Sequence, residues 1–391
     1  MKLYHQCGHC TKWNLESFVD DGYGDGLILS PVHERRSNLE KHLAKVRKAS
    51  LFDPQYYLPN SQKAKLHSYD FFPEVAAAGF STSNFGLVAR ESARLCIEFQ
   101  LAQDYEKIII PARHFEQMEP KYTDLQDAYT VVPFLHEASR MKLSKDVILT
   151  LPLTSHMVEN GDYRTSLLNW VTSYPEISGV YVIVECERNT KQVASESFLG
   201  AMLLMLTELR QADLDVVIGY TNTESLLYMV AGDVDITCGA YENTRMFSLD
   251  KFLENDEDRR GPKARIYLPG LLNWVQFTQA MDIRSKGAIW QQVYEETVWA
   301  EEAFAAVTEP YFNQPGLYKH HFECFSNQVD HLRQLSQVDR YKLLRVWIKK
   351  AISLNAEISD AAIDLERHGG GDHLQPWLDV LNRYYTSHLK P

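Results

Sequence analysis

Short apolar runs alternate with amphipathic stretches over the first 270 residues, and this alternation restricts the fold more than any other feature of the chain. The amphipathic stretches are typical of helices: in residues 195–211, Leu199, Met202, Leu203 and Leu206 recur at helical spacing. A strand–helix–strand repeat indicates crossover connections and a parallel sheet. Eight apolar runs have the length of buried strands, at residues 26–29, 51–57, 107–110, 146–151, 179–184, 215–219, 233–237 and 265–268.

Eight strand–helix units within about 250 residues match the number and size of a (β/α)8 barrel. We therefore predict an α/β fold: a (β/α)8 TIM-type barrel over residues 1–270, which includes an N-terminal Cys-x-x-Cys segment. An open, doubly wound sheet is the alternative, but that fold favours a glycine-rich turn after its first strand. Residues 30–36 read SPVHERR and contain no glycine.

Residues 271–391 have a different pattern. Helix-like segments cover 280–306, 328–354 and 374–385, and prolines and a run of three glycines at 369–371 separate them. We predict that this region is a helical C-terminal extension packed on the barrel.

Composition narrows the class of protein. The chain has 391 residues, of which 45% are hydrophobic, so it can bury a core and is not intrinsically disordered. No apolar run approaches the roughly 20 residues of a membrane helix, and the N-terminus lacks the apolar region of a signal peptide. We expect a cytoplasmic protein that is not in a membrane.

The net charge of −12 is unlike that of most nucleic-acid-binding proteins, although it leaves room for a local basic patch that contacts nucleic acid.

Every predicted strand is followed by a polar or ionisable residue, and in a barrel these positions meet at the face that carries active sites. Three carboxylates are candidate catalytic groups: Asp53 in the second strand, Glu185 after the fifth and Glu242 after the seventh. A pair of carboxylates can cleave a glycosidic bond, and their separation decides between retention and inversion. The alternative is an internal salt-bridge network with nearby arginines.

Other side chains at the same face are candidate ligand-binding groups. Arg113 and Arg245 would bind anionic groups, while Tyr220 and Tyr241 would stack on a ligand or hydrogen-bond to it. A wider set of cations at this rim favours a phosphorylated or nucleotide-like ligand, namely Arg35, Arg36, Arg113, Arg188, Lys191 and Arg245. The predicted binding residues are completed by His33, Gln55 and Glu187.

The sequence predicts neither a metal site nor a cofactor. Cys7 and Cys10 form a Cys-x-x-Cys pair, but no second pair exists to complete the four ligands of a structural zinc site. We predict that they are reduced and lie on an N-terminal strand or hairpin that caps the floor of the barrel. The glycine-rich and histidine motifs of dinucleotide-binding proteins, NTPases, serine hydrolases and zincins are absent.

Residues 216–247 read VVIGYTNTESLLYMVAGDVDITCGAYENTRMF, and their order resembles the sixth-to-seventh strand passage of the tRNA-guanine transglycosylases. The resemblance implies a distant barrel that acts on a base or nucleoside. The matching positions are the strand-ending Gly219, the pair Leu226 and Leu227, Gly232 with Asp235, and the pair Thr244 and Arg245.

Two departures limit what this resemblance implies. The family's nucleophilic aspartate is replaced by Thr237 or Cys238, and the family's cysteine-rich zinc site near the C-terminus is absent. No catalytic residue therefore carries over.

Together these features predict a barrel enzyme, a hydrolase or transferase that acts on a glycosidic or N-glycosidic bond of a base, nucleoside or sugar. The alternative is a non-catalytic barrel that serves as a binding or interaction module in a larger assembly. In that case the C-terminal helices would contact a protein partner.

Overall fold

A computed structural model describes residues 1–72, 82–186, 191–253 and 261–390. Ten β-strands lie in this part of the chain: β1 Leu3–Gln6, β2 Gly26–Leu29, β3 Leu51–Phe52, β4 Ile108–Ile110, β5 Val147–Thr154, β6 Gly179–Glu185, β7 Asp215–Ile218, β8 Ile236–Gly239, β9 Arg265–Leu268 and β10 Asn273–Gln276.

Seventeen α-helices connect or follow these strands within the same residues. They are α1 Thr11–Glu16, α2 Arg36–Leu39, α3 Ala44–Lys48, α4 Thr82–Ala102, α5 Tyr122–Gln126, α6 Val132–Met141, α7 Ser155–Glu159, α8 Gly161–Thr172, α9 Glu196–Gln211, α10 Ser225–Tyr228, α11 Glu242–Arg245, α12 Phe277–Arg284, α13 Gly287–Val293, α14 Val298–Ala305, α15 Pro315–Arg333, α16 Gln337–Asp360 and α17 Leu374–Tyr384.

The predicted α/β class with parallel strands is confirmed. Eight strands form two parallel four-stranded sheets, with the orders β3-β2-β1-β8 and β4-β5-β6-β7. Most of their residues are buried on both faces, which is why these strands are apolar runs rather than alternating patterns.

Main-chain hydrogen bonds also run between the edges of the two sheets. The amide of Ile218 donates to the carbonyl of Asp235 at 2.8 Å, next to a parallel bridge between Val217 and Asp235. On the other side, the amide of Glu106 donates to the carbonyl of Ser50 at 3.0 Å. A single closed eight-stranded barrel stays a prediction.

The prediction of the eighth strand is wrong. Residues 265–268 do form a strand, β9, but it pairs antiparallel with β10 and lies outside both parallel sheets. The eighth parallel strand is instead β1, at the N-terminus. A search for apolar runs misses β1 because His5 and Gln6 interrupt it, although both side chains are fully buried.

The predicted position of the Cys-x-x-Cys segment is also wrong. Because β1 lies between β2 and β8, Cys7 follows a central strand at its carboxyl end, and its amide donates to the carbonyl of Ile28 at 3.1 Å. The segment therefore lies at the carboxyl edge of the sheet, where the predicted ligand-binding residues follow the strands, and does not cap the floor.

The C-terminal helices pack against the parallel sheets rather than standing apart. Trp377 on α17 is fully buried, and its indole nitrogen donates to the carbonyl of Val193 at 2.7 Å. The helix predicted over 280–306 is divided into α12, α13 and α14, which surround the β9–β10 hairpin and form a second, smaller apolar cluster. The domain boundary at residue 270 stays a prediction.

None of the helices in the described residues has both the length and the apolarity to cross a bilayer.

Candidate functional site

The carboxyl ends of the parallel strands carry two separate groups of polar side chains. We call the first the central cluster: Asp53, Gln55, Tyr57, Tyr220 and Lys251. We call the second the cationic cavity, an open space of about 480 Å³ lined by residues that include Lys191, Glu242, Arg245, Lys263 and Arg265. The sequence predicts one continuous polar face, whereas the structure divides several of the predicted residues between these two regions and places others outside both.

Asp53 is the buried centre of the central cluster. Its Oδ1 accepts hydrogen bonds from the amide of Gln55 at 3.0 Å and from the hydroxyl of Tyr57 at 2.8 Å. Burial raises its pKa to about 6, and the hydrogen bond from Tyr57 and the charge of Lys251 oppose that rise. The side chain of Asp53, a predicted catalytic carboxylate, is therefore fixed in position by hydrogen bonds from its neighbours.

Two residues of the central cluster adopt left-handed backbone conformations. Gln55 has φ of 59° and Tyr220 has φ of 56°, values that side-chain-bearing residues rarely adopt. The Gln55 side chain donates to the Tyr220 hydroxyl at 3.0 Å, and the Lys251 ammonium lies 3.4 Å from the centroid of the Tyr220 ring. These contacts hold the strained turns in place.

Glu185 lies apart from both regions. It ends β6, as predicted, and its carboxylate oxygen is 3.5 Å from Nε2 of His114. Burial lowers the pKa of His114 to about 4, so this imidazole is neutral at pH 7. Arg113, a predicted anion-binding residue, faces Phe115 at 5.0 Å and does not line the cationic cavity.

The remaining predicted residues have three different positions. Glu242, Arg245 and Tyr241 line the cationic cavity. His33 follows β2, where burial and then the charge of Lys251 lower its pKa to about 3. Glu187 lies outside the described residues.

Arg245 reaches the cavity because α11 packs tightly on the strand ends. A Cβ at Gly8 or at Gly239 would lie 2.3 Å from the side chain of Thr244, so only glycine at these two positions allows the close approach. This packing places Arg245 inside the protein, where 5% of its surface is exposed to solvent.

The guanidinium of Arg245 is buried with few partners. It lies 3.9 Å from the centroid of the Trp274 ring, a cation–π contact. Its Nε and Nη1 atoms form no hydrogen bond within the described residues, and the indole nitrogen of Trp274 is likewise buried without one. Burial lowers the pKa of Arg245 to about 10, which leaves the side chain cationic at pH 7.

Three further cations line the cavity with Arg245, namely Lys191, Lys263 and Arg265. Lys191 forms an ion pair with Glu242, and Arg265 forms one with Glu366. Burial and then the charges of Arg265 and Arg245 lower the pKa of Lys191 to about 8. Among the described residues, the lining carries four Lys or Arg side chains against one carboxylate, in a chain whose net charge is −12.

Aromatic rings form another part of the cavity lining. Trp13 on α1 stacks on Tyr318 of α15 with ring centroids 5.3 Å apart, and Tyr241 lies 5.1 Å from the same ring. Cys10 is also in the lining, and its sulfur lies 3.4 Å from the Tyr241 hydroxyl. Groups of three or more potential metal ligands do not occur in the described part of the chain.

Sequence reasoning misses several residues of this cavity. Arg265 begins β9 and Lys263 lies just before it, both within the predicted barrel, whereas Trp274 and Tyr318 belong to the predicted extension. The sequence signal for these residues is the concentration of tryptophan after residue 270, where five of the seven Trp residues lie, and it does not indicate where they pack.

The fold and the site define a parallel α/β protein with a cationic, aromatic cavity at the carboxyl edge of its sheets. No protein-family model matches the chain, and it has no significant match among curated proteins or solved structures. The resemblance to tRNA-guanine transglycosylases stays a prediction.

Proposed function

We propose that the eight parallel strands close into a (β/α)8 barrel. The pairing of β1 with β8 joins the first strand to the last, and the hydrogen bonds from Ile218 and Glu106 join the edges of the two sheets. In a barrel the carboxyl edge is the usual position of the active site, so both polar regions would lie at its mouth.

We further propose that the cationic cavity binds an anionic ligand that carries a planar ring, such as a nucleotide. The observation that supports this proposal most is Arg245, whose charge is buried while two of its nitrogens have no hydrogen-bond partner in the described residues. A buried charge with few partners is costly, and a phosphate or carboxylate group in the cavity would supply a negative counter-charge. The rings of Trp13, Tyr241 and Tyr318 would contact the base.

Catalysis on an N-glycosidic bond is the activity that fits this ligand. Glu242 is the carboxylate that lines the cavity, and its side chain is 48% exposed, so a substrate can reach it. In the hydrolysis the bond from the sugar carbon to the base nitrogen breaks, water adds to the sugar carbon, and the leaving base takes up a proton from the water. The positive charge that develops on the sugar carbon is stabilised by an ionised carboxylate. Lys191, ion-paired with Glu242, would keep the carboxylate oriented.

Calorimetry with the 5′-monophosphates of adenosine, guanosine, cytidine and uridine tests the binding proposal. Arg245→Met keeps the apolar stem on Trp274 but removes the cation, so we expect it to lower about 100-fold the affinity for the nucleotides that the wild-type protein binds. Arg113→Met is the matched control, because Arg113 also faces a ring but lies outside the cavity lining. Equal affinity in the wild-type and Arg245→Met proteins would contradict the proposal.

Release of free base from the same nucleotides, followed by chromatography, tests the catalytic step. Glu242→Gln should lower the rate at least 100-fold while the dissociation constant changes only a few-fold, because the amide neither attacks nor balances a developing charge. The control is Glu196→Gln, which alters a partly exposed carboxylate paired with Arg383 elsewhere on the surface.

A non-catalytic binding module is the second candidate. It is favoured by the packing over Asp53, where Phe247 lies 5.1 Å from Tyr57 and 5.4 Å from Tyr220, measured between ring centroids. A barrel enzyme commonly exposes its central carboxylate, whereas Asp53 has no exposed surface. Tight nucleotide binding by a protein that releases no base would favour this candidate.

A further inference from the structure

Glu224 is a buried carboxyl group to which neither the predicted nor the proposed activity assigns a role. It follows β7, immediately before α10, and is 3% exposed. Its Oε1 accepts a hydrogen bond from the amide of Asn222 at 2.9 Å, while Oε2 has no hydrogen-bond partner in the described residues. One half of this carboxyl group is therefore available to a proton, a water molecule or a nearby cation.

Glu224 and Arg245 line the same small inner cavity. Its volume is about 30 Å³, which is enough for about one water molecule. Arg245 lines the cationic cavity as well, so its side chain separates an anion in the outer space from Glu224 in the inner one.

Within the described residues, the titratable groups that line this inner cavity with Glu224, apart from Arg245, are neutral at pH 7. Cys186 follows β6, Tyr220 follows β7 and Tyr228 lies on α10, and burial raises the pKa of all three side chains above their ordinary values. Arg245 on α11 is the charged neighbour, and its cation favours the ionised form of Glu224. Burial is thus the main influence on the proton of Glu224, and the hydrogen bonds from the backbone amides of Asn222 and Glu224 oppose it more strongly than the charge of Arg245 does.

We propose that Glu224 is a positioning residue that takes up a proton when an anion binds to Arg245. This inference rests on the proposed anion-binding function. In the empty protein the Glu224 carboxylate balances the guanidinium. A bound anion neutralises the charge of Arg245 in place of Glu224. A second negative charge beside the anion is then unfavourable, so Glu224 accepts one proton from solvent.

Burial raises the pKa of Glu224 to about 7, which places the proton exchange close to neutral pH. Anion affinity should therefore fall as the pH rises above 7, because the protonated carboxyl group is the form that tolerates the anion. Lys191, with a pKa of about 8, also loses charge in this range, so pH dependence alone does not isolate Glu224.

The difference in proton uptake between the wild-type and Glu224→Gln proteins isolates Glu224, because both proteins retain Lys191. The nucleoside monophosphate that binds most tightly of the four is titrated calorimetrically at pH 7.5 in two buffers of different ionisation enthalpy. We expect the wild-type protein to take up on the order of half a proton more per nucleotide bound than Glu224→Gln does. The affinity of Glu224→Gln should also fall less between pH 7 and pH 8.5.

Asp235→Asn is the matched control. Asp235 is a partly buried carboxyl group whose pKa burial also raises, but it lies before β8, at the opposite end of that strand from the cavity. This variant should keep the proton uptake of the wild-type protein. Nucleotide binding without proton uptake, or equal uptake by Glu224→Gln, would overturn the inference and leave the binding proposal intact. Absence of binding by the wild-type protein would overturn both.

Discussion

The central cluster and the cationic cavity lie at the same edge of the sheets, yet they differ in the space around their charged groups. In the cluster, Oδ1 of Asp53 accepts two hydrogen bonds, Oδ2 has no hydrogen-bond partner in the described residues, and neighbouring side chains enclose the whole carboxyl group. In the cavity, two nitrogens of Arg245 have no acceptor in the described residues, and the side chain lines an open volume of about 480 Å³. An enclosed group held by hydrogen bonds stabilises a fold, whereas a charged group that lines an open volume suits a ligand. The comparison thus assigns stability to the cluster and binding to the cavity.

Of the substitutions that distinguish the two regions, Arg245→Met should have the largest effect. We expect nucleotide affinity to fall about 100-fold, roughly 3 kcal/mol, because charge-assisted hydrogen bonds to the phosphate are lost. The free energy of unfolding should stay within about 1 kcal/mol of the wild-type value, since removing a poorly partnered buried charge offsets the lost contact with Trp274. Calorimetric binding and urea unfolding measure the two quantities.

Asp53→Ala should show the reverse pattern. The substitution leaves the Tyr57 hydroxyl and the Gln55 amide without an acceptor, so we expect a loss of about 2–3 kcal/mol in the free energy of unfolding. Nucleotide affinity of the folded protein should be unchanged. Asp70→Ala, at an aspartate whose side chain is 70% exposed, is the control and should cost less than about 0.5 kcal/mol. A stable Asp53→Ala variant that no longer binds nucleotide would reverse the assignment.

The pH dependence of the free energy of unfolding tests whether Asp53 is buried in the central cluster. Its pKa is about 6 in the folded protein and lower when unfolded, so protonated Asp53 favours the fold. That contribution is complete below about pH 4 and is lost as the pH rises through 6. Relative to Asp53→Asn, which does not titrate, the wild-type protein should lose roughly 1–2 kcal/mol between pH 5 and pH 8. Urea unfolding of both proteins at these two pH values measures the difference, and parallel pH profiles would show that Asp53 is solvated rather than buried.

The smallest expected effect is that of Tyr220→Phe. It removes the hydroxyl that accepts from Gln55 and should lower the free energy of unfolding by about 1 kcal/mol, because one buried hydrogen bond is lost. Tyr311→Phe, at a residue that is 74% exposed, is the control and should leave stability unchanged. Urea unfolding distinguishes the two variants, and equal stability would mean that the Gln55 contact does not support the left-handed turns.

Sequence reasoning predicts the strand–helix repeat well because strands buried on both faces are continuous apolar runs. Seven of the eight predicted runs overlap parallel strands. β1 is missed because His5 and Gln6 are polar, and their burial depends on partners distant in sequence, such as Tyr23 and Tyr181. Apolarity also does not reveal the direction of pairing, so β9 is taken for a parallel strand.

The candidate site is predicted only in part, for a related reason. Glu242, Arg245 and Tyr241 follow a correctly assigned strand, and all three line the cavity. Trp274 and Tyr318 come from the C-terminal region, and their approach to Arg245 depends on tertiary packing that no local pattern contains. The same holds for the enclosure of Asp53, because Phe247 and Lys251 reach it from the segment after α11.

The most direct test of the assignment is the unfolding free energy of the wild-type and Arg245→Met proteins, each with and without a saturating nucleoside monophosphate. We predict equal stability of the two proteins without nucleotide, and a gain on nucleotide addition for the wild-type protein alone, because a ligand stabilises only the state that binds it. A gain of the same size in Arg245→Met, or a loss of several kcal/mol in that variant without nucleotide, would contradict the division between a binding cavity and a stabilising cluster.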